Sequence, residues 1–509
     1  MKSTTAMETR SAKRRKMLCS PEHSSENNTG EDRITDLPNA VLHHILRLLP
    51  IKSIVQTTIL SKRWNALWHT FPDLDFTTIF PSGTPLTKFL SLNKKKNIGN
   101  VITKILSFRE KLSDVRILRF YACMSFSGLH ALIRSAVRVQ VQELDITIAT
   151  NDTFNFPRSI ITSDNLRVLK VKSYPGLRLP PSRIMQSGFQ KLRTLLLSFV
   201  YLDNQSSLMD LFTDCSFPQL TKLYLDSCFN LEQLRVGCRL LEELAVENCS
   251  SLQGLEIMSP RLETLRVSNC FDAFNINNSW LQVDAPRLNT IVWENSSITS
   301  KSCIQNIVCL HEVTIGFLLN QENLDADKLQ NISSFLSGLS HTESLVLESR
   351  FVEIMSKNKH FATIFFRPFM KLKSLELQTS EVLGLANLLK SCPMIHTLII
   401  KISEGYKAER RWNTHSLIKL SWEEKFWESH AKDLKPLLSY IKIVKIHGFS
   451  ESDNDISLVK FLLKHGNVLQ DLILCLRDET TRSYYRHENF KLHIMGFSRA
   501  SLDVKLEFS

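Results

Sequence analysis

The sequence predicts an α/β protein: a short helical unit, then a long array of parallel strands, closed by a strand–helix–strand segment. Three observations predict it. A phrase of the form L-x-x-L-x-L, with Val, Ile or Phe allowed at its apolar positions, recurs along most of the chain. One compact helical pattern, from Asp36 to Pro72, stands ahead of the repeats. Glycine is scarce, at 15 residues, which disfavours architectures that need it at many tight turns. A short strand that buries alternate residues cannot fold alone, but copies stacked in parallel share one continuous core.

The length agrees. A chain of 509 residues exceeds one ordinary core, so several domains or one elongated array is expected. Hydrophobic residues make up 43% and charged residues 22%, the balance of a largely folded chain. The formal net charge of +12 reads first as a basic solvated surface, and nucleic acid is not the expected partner. The N-terminus is polar and basic, without a secretory apolar region, and no run of ~18 apolar residues offers a membrane span. The 11 cysteines are odd in number and contain no C-x-x-C pair, so they are expected to be reduced, in the cytoplasm or nucleus.

Residues 1–30 read as a disordered basic tail, rich in Ser, Thr, Asn, Glu and Lys. Within it, Lys13, Arg14, Arg15 and Lys16 form either a nuclear import signal or a solvated charge run. In residues 31–78, Val41, Leu42, Ile45, Leu46 and Leu49 fall at helical spacing behind Leu37-Pro38. Pro38 suits the first helical turn and Pro50 ends it. Ile51, Ile54, Val55 and Ile59 mark a second helix; Ser61 caps a third, carrying Trp64, Leu67 and Trp68, which Pro72 stops. Helices this short bury little surface, so the unit is expected to lean on a partner or on the domain next in the chain.

Residues 79–410 carry the repeats. Copies of the strand phrase stand at Val115/Leu118/Phe120, Leu166/Leu169/Val171, Leu192/Leu195/Leu197 and Leu220/Leu223/Leu225. Others stand at Leu241/Leu244/Val246, Leu262/Leu265/Val267, Leu288/Ile291/Trp293, Leu372/Leu375/Leu377 and Ile395/Leu398/Ile400. The outer copies are irregularly spaced, but Cys228, Cys249 and Cys270 lie 21 residues apart and close the same phrase. Such thiols read as small packing residues where the chain leaves the strand, because zinc would require closely paired ligands. A second phrase, offset between these copies, stands at Leu231/Leu234/Val236 and Leu252/Leu255/Ile257. The central coils are therefore expected to be thin, with strands on both faces and almost no helix.

Residues 411–509 differ in texture. Trp412, Trp422 and Trp427 lie in a charged stretch; a strand phrase at Ile441/Val444/Ile446 comes next, then an acidic turn at Glu451–Asp455. A helix over about Ser457 to Lys464 and a strand at Leu469/Leu472/Leu474 complete a unit expected to cap the open end of the array.

Signs of catalysis are missing. There is no G-x-G, no G-x-x-x-x-G-K-S/T, no G-x-S-x-G and no H-E-x-x-H. The adjacent His43 and His44 cannot place both rings on one helical face and read as surface residues. No enzyme activity, metal or cofactor is expected.

The segment Asp32–Trp68, DRITDLPNAVLHHILRLLPIKSIVQTTILSKRWNALW, resembles the F-box, with Leu37-Pro38, Leu49-Pro50 and Leu60-Ser61-Lys62-Arg63-Trp64 at the expected places. The rest resembles the plant F-box/FBD/leucine-rich-repeat family. Val444–Phe449, VKIHGF, is similar to a phrase of its FBD-like C-terminal domain, and Met495–Ser501 to its closing motif, with alternating Val504, Leu506 and Phe508 behind it. The proline- and cysteine-bearing phrase usual before the C-terminal strand is absent, and the charged insert Lys401–Arg411 stretches the spacing.

The resemblance implies a substrate-recruiting subunit of an SCF-type cullin–RING ubiquitin ligase. The F-box would bind a Skp-family adaptor and, through it, the cullin and RING subunits. Leu37, Pro38, Leu42, Ile45, Leu46, Leu49, Leu60 and Trp64 would form the adaptor surface or its immediate support. The solenoid would hold an unidentified protein target on the outward residues of its strands, which include Tyr224, Asp226, Ala245, Glu247, Arg266 and Ser268. An F-box-bearing scaffold, or a ligand-sensing binding protein without target ubiquitination, is the alternative.

Overall fold

The structure, a computed structural model, describes residues 34, 36–79, 98–109, 114–149, 153–180, 182–186, 188–201, 211–272, 278–319, 326–380, 382–403, 416–449, 452–476 and 491–509. The tail with Lys13, Arg14, Arg15 and Lys16, and Trp412, lie outside the described residues.

Three helices open the fold: α1 (Asn39–Arg47), α2 (Ile51–Thr57) and α3 (Lys62–Thr70). Pro38 and Pro50 each sit at the N-cap position of a helix, where a missing N–H leaves nothing unpaired. The Ser61 hydroxyl accepts a hydrogen bond from the Trp64 backbone N–H at 3.3 Å, the cap expected from sequence.

The chain then enters one parallel sheet and stays in it to the end. Its first strands are β1 (Asp73–Asp75), β2 (Ile117–Cys123), β3 (Glu143–Ala149), the short β4 (Phe154–Asn155), β5 (Val168–Arg178) and β6 (Thr194–Tyr201). A second sheet interleaves with the central coils. Its strands β7 (Phe212–Thr213), β9 (Gln233–Gly237), β11 (Gly254–Met258), β13 (Trp280–Asp284) and β15 (Lys301–Gln305) pair in parallel. They alternate along the chain with β8 (Lys222–Asp226), β10 (Glu243–Glu247), β12 (Thr264–Ser268), β14 (Thr290–Ser296) and β16 (Glu312–Phe317) of the main sheet. The main sheet finishes with β17 (Ser344–Leu347), β18 (Ser374–Thr379), β19 (Thr397–Ile402), β20 (Ile443–Phe449), β21 (Asp471–Leu476) and β22 (Lys505–Phe508). Two strands per central coil and no α-helix between β7 and β16 among the described residues is the thin centre that the offset phrases predict.

Elsewhere helices connect the strands: α4 (Ile98–Arg109), α5 (Phe126–Arg138), α6 (Ala326–Ser337), α7 (Ser349–Lys357), α8 (Lys359–Phe366), α9 (Leu385–Lys390), α10 (Ser416–Leu438) and α11 (Asp453–His465). The leucine phrases are the inward residues. Leu223, Leu244, Leu265, Ile291 and Val313 stand in register across five strands, all buried. An aromatic chain joins the thin and helix-backed parts. Trp293 lies 5.3 Å from Phe271 and 5.2 Å from Phe335 of α6, and Phe317 lies 5.4 Å from Phe351 of α7, by ring centroids.

Strands β8, β10 and β12 are each left by a residue with positive φ, namely Ser227, Asn248 and Asn269, and Asn295 adopts the same conformation within β14. Asn tolerates that conformation because its short polar side chain bonds locally. The buried Cys228, Cys249 and Cys270 come directly after the first three, and the Cys249 thiol donates to the Glu247 carbonyl at 3.3 Å. They are packing residues, as the spacing predicts.

Four differences from the sequence-based expectation stand out. Strands β3, β16 and β17 carry copies, Val141/Leu144/Ile146, Leu310/Val313/Ile315 and Thr342/Leu345/Leu347, that the repeat pattern did not include. Thr342 hides the last because a polar residue occupies a fully buried apolar position, its hydroxyl satisfied by the Leu339 carbonyl at 2.8 Å. Helix α11 begins at Asp453, so most of the expected acidic turn is helix; the Ser452 hydroxyl accepts from the Asp455 backbone N–H at 3.3 Å and caps it. Finally, β20 pairs with β19 (Ile443 beside Thr397), and β21 and β22 continue in register, so the C-terminal segment extends the sheet. The sheet likewise begins at Asp73, ahead of the expected boundary at residue 79.

Candidate functional site

The helical unit has two apolar sides. Leu42 and Leu46 of α1 are 1% exposed and pack inward with Ile51, Ile54, Leu67 and Trp68. Val41 and Ile45 lie on the other side of the same helix, Leu48 and Leu49 follow directly at its C-terminal end, and all are exposed. Val55, Ile59 and Leu60 extend that exposed set through and beyond α2, with Leu48 at 78% and Ile59 at 85% exposure. A nine-residue helix needs one apolar stripe to pack; the second stripe presents an apolar surface to solvent, which marks an interaction site.

Of the residues expected at an adaptor surface, Pro38, Ile45, Leu49 and Leu60 are exposed, Leu37 and Trp64 are half-buried against the core, and Leu42 and Leu46 lie inside it as support. Sequence reasoning did not select Leu48, Val55 and Ile59. Their signal was an excess of apolar residues over the number one stripe requires.

This unit is fastened to the sheet by polar links that sequence reasoning missed. Asp73 of β1 accepts from Arg47 of α1 (Nε to Oδ2, 2.7 Å) and from Arg116 (Nη2 to Oδ2, 2.6 Å). The Ile51 N–H donates to Thr78 Oγ1 at 3.1 Å. Arg109, at the end of α4, is 1% exposed and donates to the carbonyls of Trp68 and Phe71. Burial lowers its pKa to about 10, so the guanidinium stays charged at neutral pH. His43 packs edge-on to Phe71, and burial lowers its pKa, while His44 is exposed.

The second candidate is the open face of the main sheet. Its outward residues stack in register as Asp75, Arg119, Asp145, Lys170, Leu196, Tyr224, Ala245, Arg266 and Val292. A hollow of about 370 Å³ is lined by Tyr224, Asp226, Ala245 and Glu247 together with Asp145, Thr147, Lys170, Lys172 and Ser198. The structure thus brings Tyr224, Asp226, Ala245 and Glu247 together. Arg266 lies beside this hollow, donating to Glu294 (Nη1 to Oε2, 3.0 Å) and lying 3.8 Å from Glu247, and Ser268 continues the row of Asp226 and Glu247.

Charge alternates here. Burial raises the pKa of Asp145, opposed by Lys170 and Arg119. Burial and a hydrogen bond to Glu243 raise that of Tyr224. Lys172 Nζ lies 5.4 Å from the Phe199 ring centroid and 5.9 Å from that of Tyr174, an aromatic rim sequence reasoning did not find. Such a surface mixes charged, polar and aromatic groups and offers several weak contacts side by side. Among the described residues no group of His, Cys, Asp and Glu is placed to hold a metal ion, and no helix is long and apolar enough to cross a membrane.

A three-helix unit with an outward apolar face, fused to a parallel leucine-bearing sheet, defines the class: an F-box joined to a leucine-rich-repeat solenoid. Residues 34–75 match the F-box domain, and residues 104–501 match the family described as At1g61320/AtMIF1, LRR domain. An Arabidopsis thaliana protein named as an F-box/FBD/LRR-repeat protein, At4g03220, is 40% identical over 99% of this chain and 100% of its own length. The FBD-associated F-box protein At5g22730 of the same plant is 25% identical over 89% of each chain. F-box/LRR-repeat protein 13, also from Arabidopsis thaliana, is 25% identical over 89% of this chain and 91% of its own. The chain belongs to the F-box/FBD/LRR-repeat family of plants.

Proposed function

We propose that this chain is a substrate-recruiting subunit of an SCF-type cullin–RING ubiquitin ligase. The observation that carries the reading is the solvent-facing apolar stripe Val41, Ile45, Leu48 and Leu49 with Val55, Ile59 and Leu60, on a unit whose own core is already filled by other residues. A Skp-family adaptor would cover that stripe, with a few large anchors dominating the affinity. The adaptor would connect it to the cullin and RING subunits. A protein target would lie on the open strand face around Tyr224, Asp226, Glu247 and Arg266. The chain would then contribute no covalent chemistry of its own. It would raise the effective concentration of target lysines near a ubiquitin thioester.

Two measurements test the reading. Purified full-length chain is mixed with a Skp-family adaptor and passed over a sizing column, as wild type and as Ile45→Asp/Ile59→Asp. Co-elution of the wild type alone is expected; co-elution of both, or of neither, would sink the adaptor assignment. Ubiquitin transfer to a co-purified protein in the reconstituted complex then separates a target receptor from a scaffold that binds the adaptor without delivering anything.

A further inference from the structure

We propose that a ladder of turns at the N-terminal ends of strands β8 to β14 is a second protein-binding site, which takes an acidic extended segment of a partner. Each central coil returns from the second sheet to the main sheet through the same tight turn. The N–H groups of Leu220, Leu241, Leu262 and Leu288 donate to the carbonyls of Phe217, Cys238, Ser259 and Ala285. The two central residues of each turn project outward. Proline holds the first of these places at Pro218, Pro260 and Pro286, the place where its fixed φ suits a turn. Arginine holds the second at Arg261 and Arg287. Because Thr264 pairs with Thr290, these two arginines occupy equivalent places in adjacent coils, whose strands lie about 4.8 Å apart.

The turns border a groove of about 660 Å³, whose lining includes Asp214, Arg239, Leu240, Pro260, Arg261 and Arg287. Its first rung shows what the groove takes. The Asp214 carboxylate accepts from the Arg239 backbone N–H at 2.9 Å and from the Arg239 guanidinium Nε. On the next two rungs no such carboxylate exists among the described residues. Arg261 and Arg287 are exposed, and among the described residues neither makes a salt bridge or a side-chain hydrogen bond. Glu242 and Glu263 come directly after Leu241 and Leu262 in the chain but do not line the groove. Guanidinium groups that line one groove from adjacent coils repel one another unless an anion lies between them, and their planar forks match carboxylates.

The occupant is a peptide and not a nucleic acid. Three arginines beside an aspartate, with proline and leucine walls, make a narrow and partly apolar strip. A nucleic-acid interface needs a far broader field of cations. The site lies apart from both the apolar helical face and the hollow on the open strand face, so it does not depend on the adaptor reading.

The test uses the full chain and three fluorescent ten-unit probes: oligoglutamate, oligophosphoserine and single-stranded RNA. Polarisation is read at low salt and again at 0.3 M. Oligoglutamate is expected to bind in a salt-sensitive manner and to lose at least tenfold in affinity in Arg261→Ala/Arg287→Ala. Arg134→Ala, which removes an exposed arginine on α5, is expected to bind as wild type. Unchanged binding by the double variant, or equal loss in Arg134→Ala, would overturn the proposal. So would RNA or phosphoserine binding more than tenfold tighter than glutamate through the same arginines. Because both side chains are exposed, charge reversal to Arg261→Glu/Arg287→Glu gives an independent check: it should abolish oligoglutamate binding and leave the melting temperature in place.

Discussion

The guanidinium carbon of Arg109 lies 4.8 Å from the ring centroid of Trp68, and the same group donates to the Trp68 and Phe71 carbonyls. Arg109 ends α4, the helix between β1 and β2; Trp68 belongs to the third helix of the apolar-faced unit. One buried cation therefore joins the two parts of the molecule, and Asp73, held by Arg47 and Arg116, joins them a second time. In a recruiting subunit such links would fix the distance between the two docking faces.

Replacing Arg109 should loosen this joint. Arg109→Ala leaves the Phe71 carbonyl without its donor, at a cost of about 1–3 kcal/mol, and the Trp68 carbonyl with only the Phe71 N–H at 3.3 Å. A lower first melting transition is expected, with Arg109→Lys intermediate because an ammonium cannot reproduce the planar fork. Differential scanning calorimetry of the three proteins checks the order.

The two stripes of α1 should separate cleanly. Leu46→Ala empties a core site and should destabilise by about 2–5 kcal/mol. Leu49→Asp acts on an exposed residue and should change stability by about 0.5 kcal/mol or less while weakening adaptor binding. Denaturation by urea, run beside the adaptor sizing experiment, tells whether stability and binding part in this way.

Thiol reactivity should track burial. Burial pushes the Cys238 thiol up to about 12, and the hydrogen bond with the Cys249 thiol, together with burial, raises Cys228 and Cys270. Native protein should therefore expose Cys215, Cys303 and Cys309 to an aromatic disulfide reagent, while Cys228, Cys238, Cys249 and Cys270 react only after denaturation. Peptide mapping of the labelled sites reads the result, and a chelator should not change it.

Glu348 should make the solenoid sensitive to pH. Burial, with Glu294 nearby, pushes its carboxyl up to about 7, against an ordinary 4.5. An acid raised in the folded state binds its proton more tightly there than in the unfolded chain. Its contribution to stability is therefore full below about pH 4.5 and is lost as pH rises to about 7. Glu348→Gln should raise the melting temperature at pH 8 and leave it nearly unchanged at pH 4.5.

The core was legible to the extent that its signal was local. Leu223, Leu244 and Leu265 could be placed inside, and the offset Leu234 and Leu255 on a second sheet, because a strand's period of two is written in neighbouring residues. Where a polar residue takes a buried place, as at Thr342, the pattern breaks and the strand escapes notice. Pro50 and Ser61 were legible for a similar reason, since capping chemistry spans only a few residues.

The sequence by itself determined the repeated coil, the two-faced thin centre, the caps of the opening helices and the resemblance to the F-box/FBD/leucine-rich-repeat family. It could not tell which apolar stripe of α1 faces water. Ile45 and Leu46 differ little in hydrophobicity, and only the packing of Leu46 against distant residues such as Leu67 and Trp68 decides between them. Nor could it find the pairing of Arg109 with Trp68 or the equivalent places of Arg261 and Arg287 in adjacent turns. Those residues lie 41 and 26 positions apart, and only the folding of the chain into parallel coils brings them to one place.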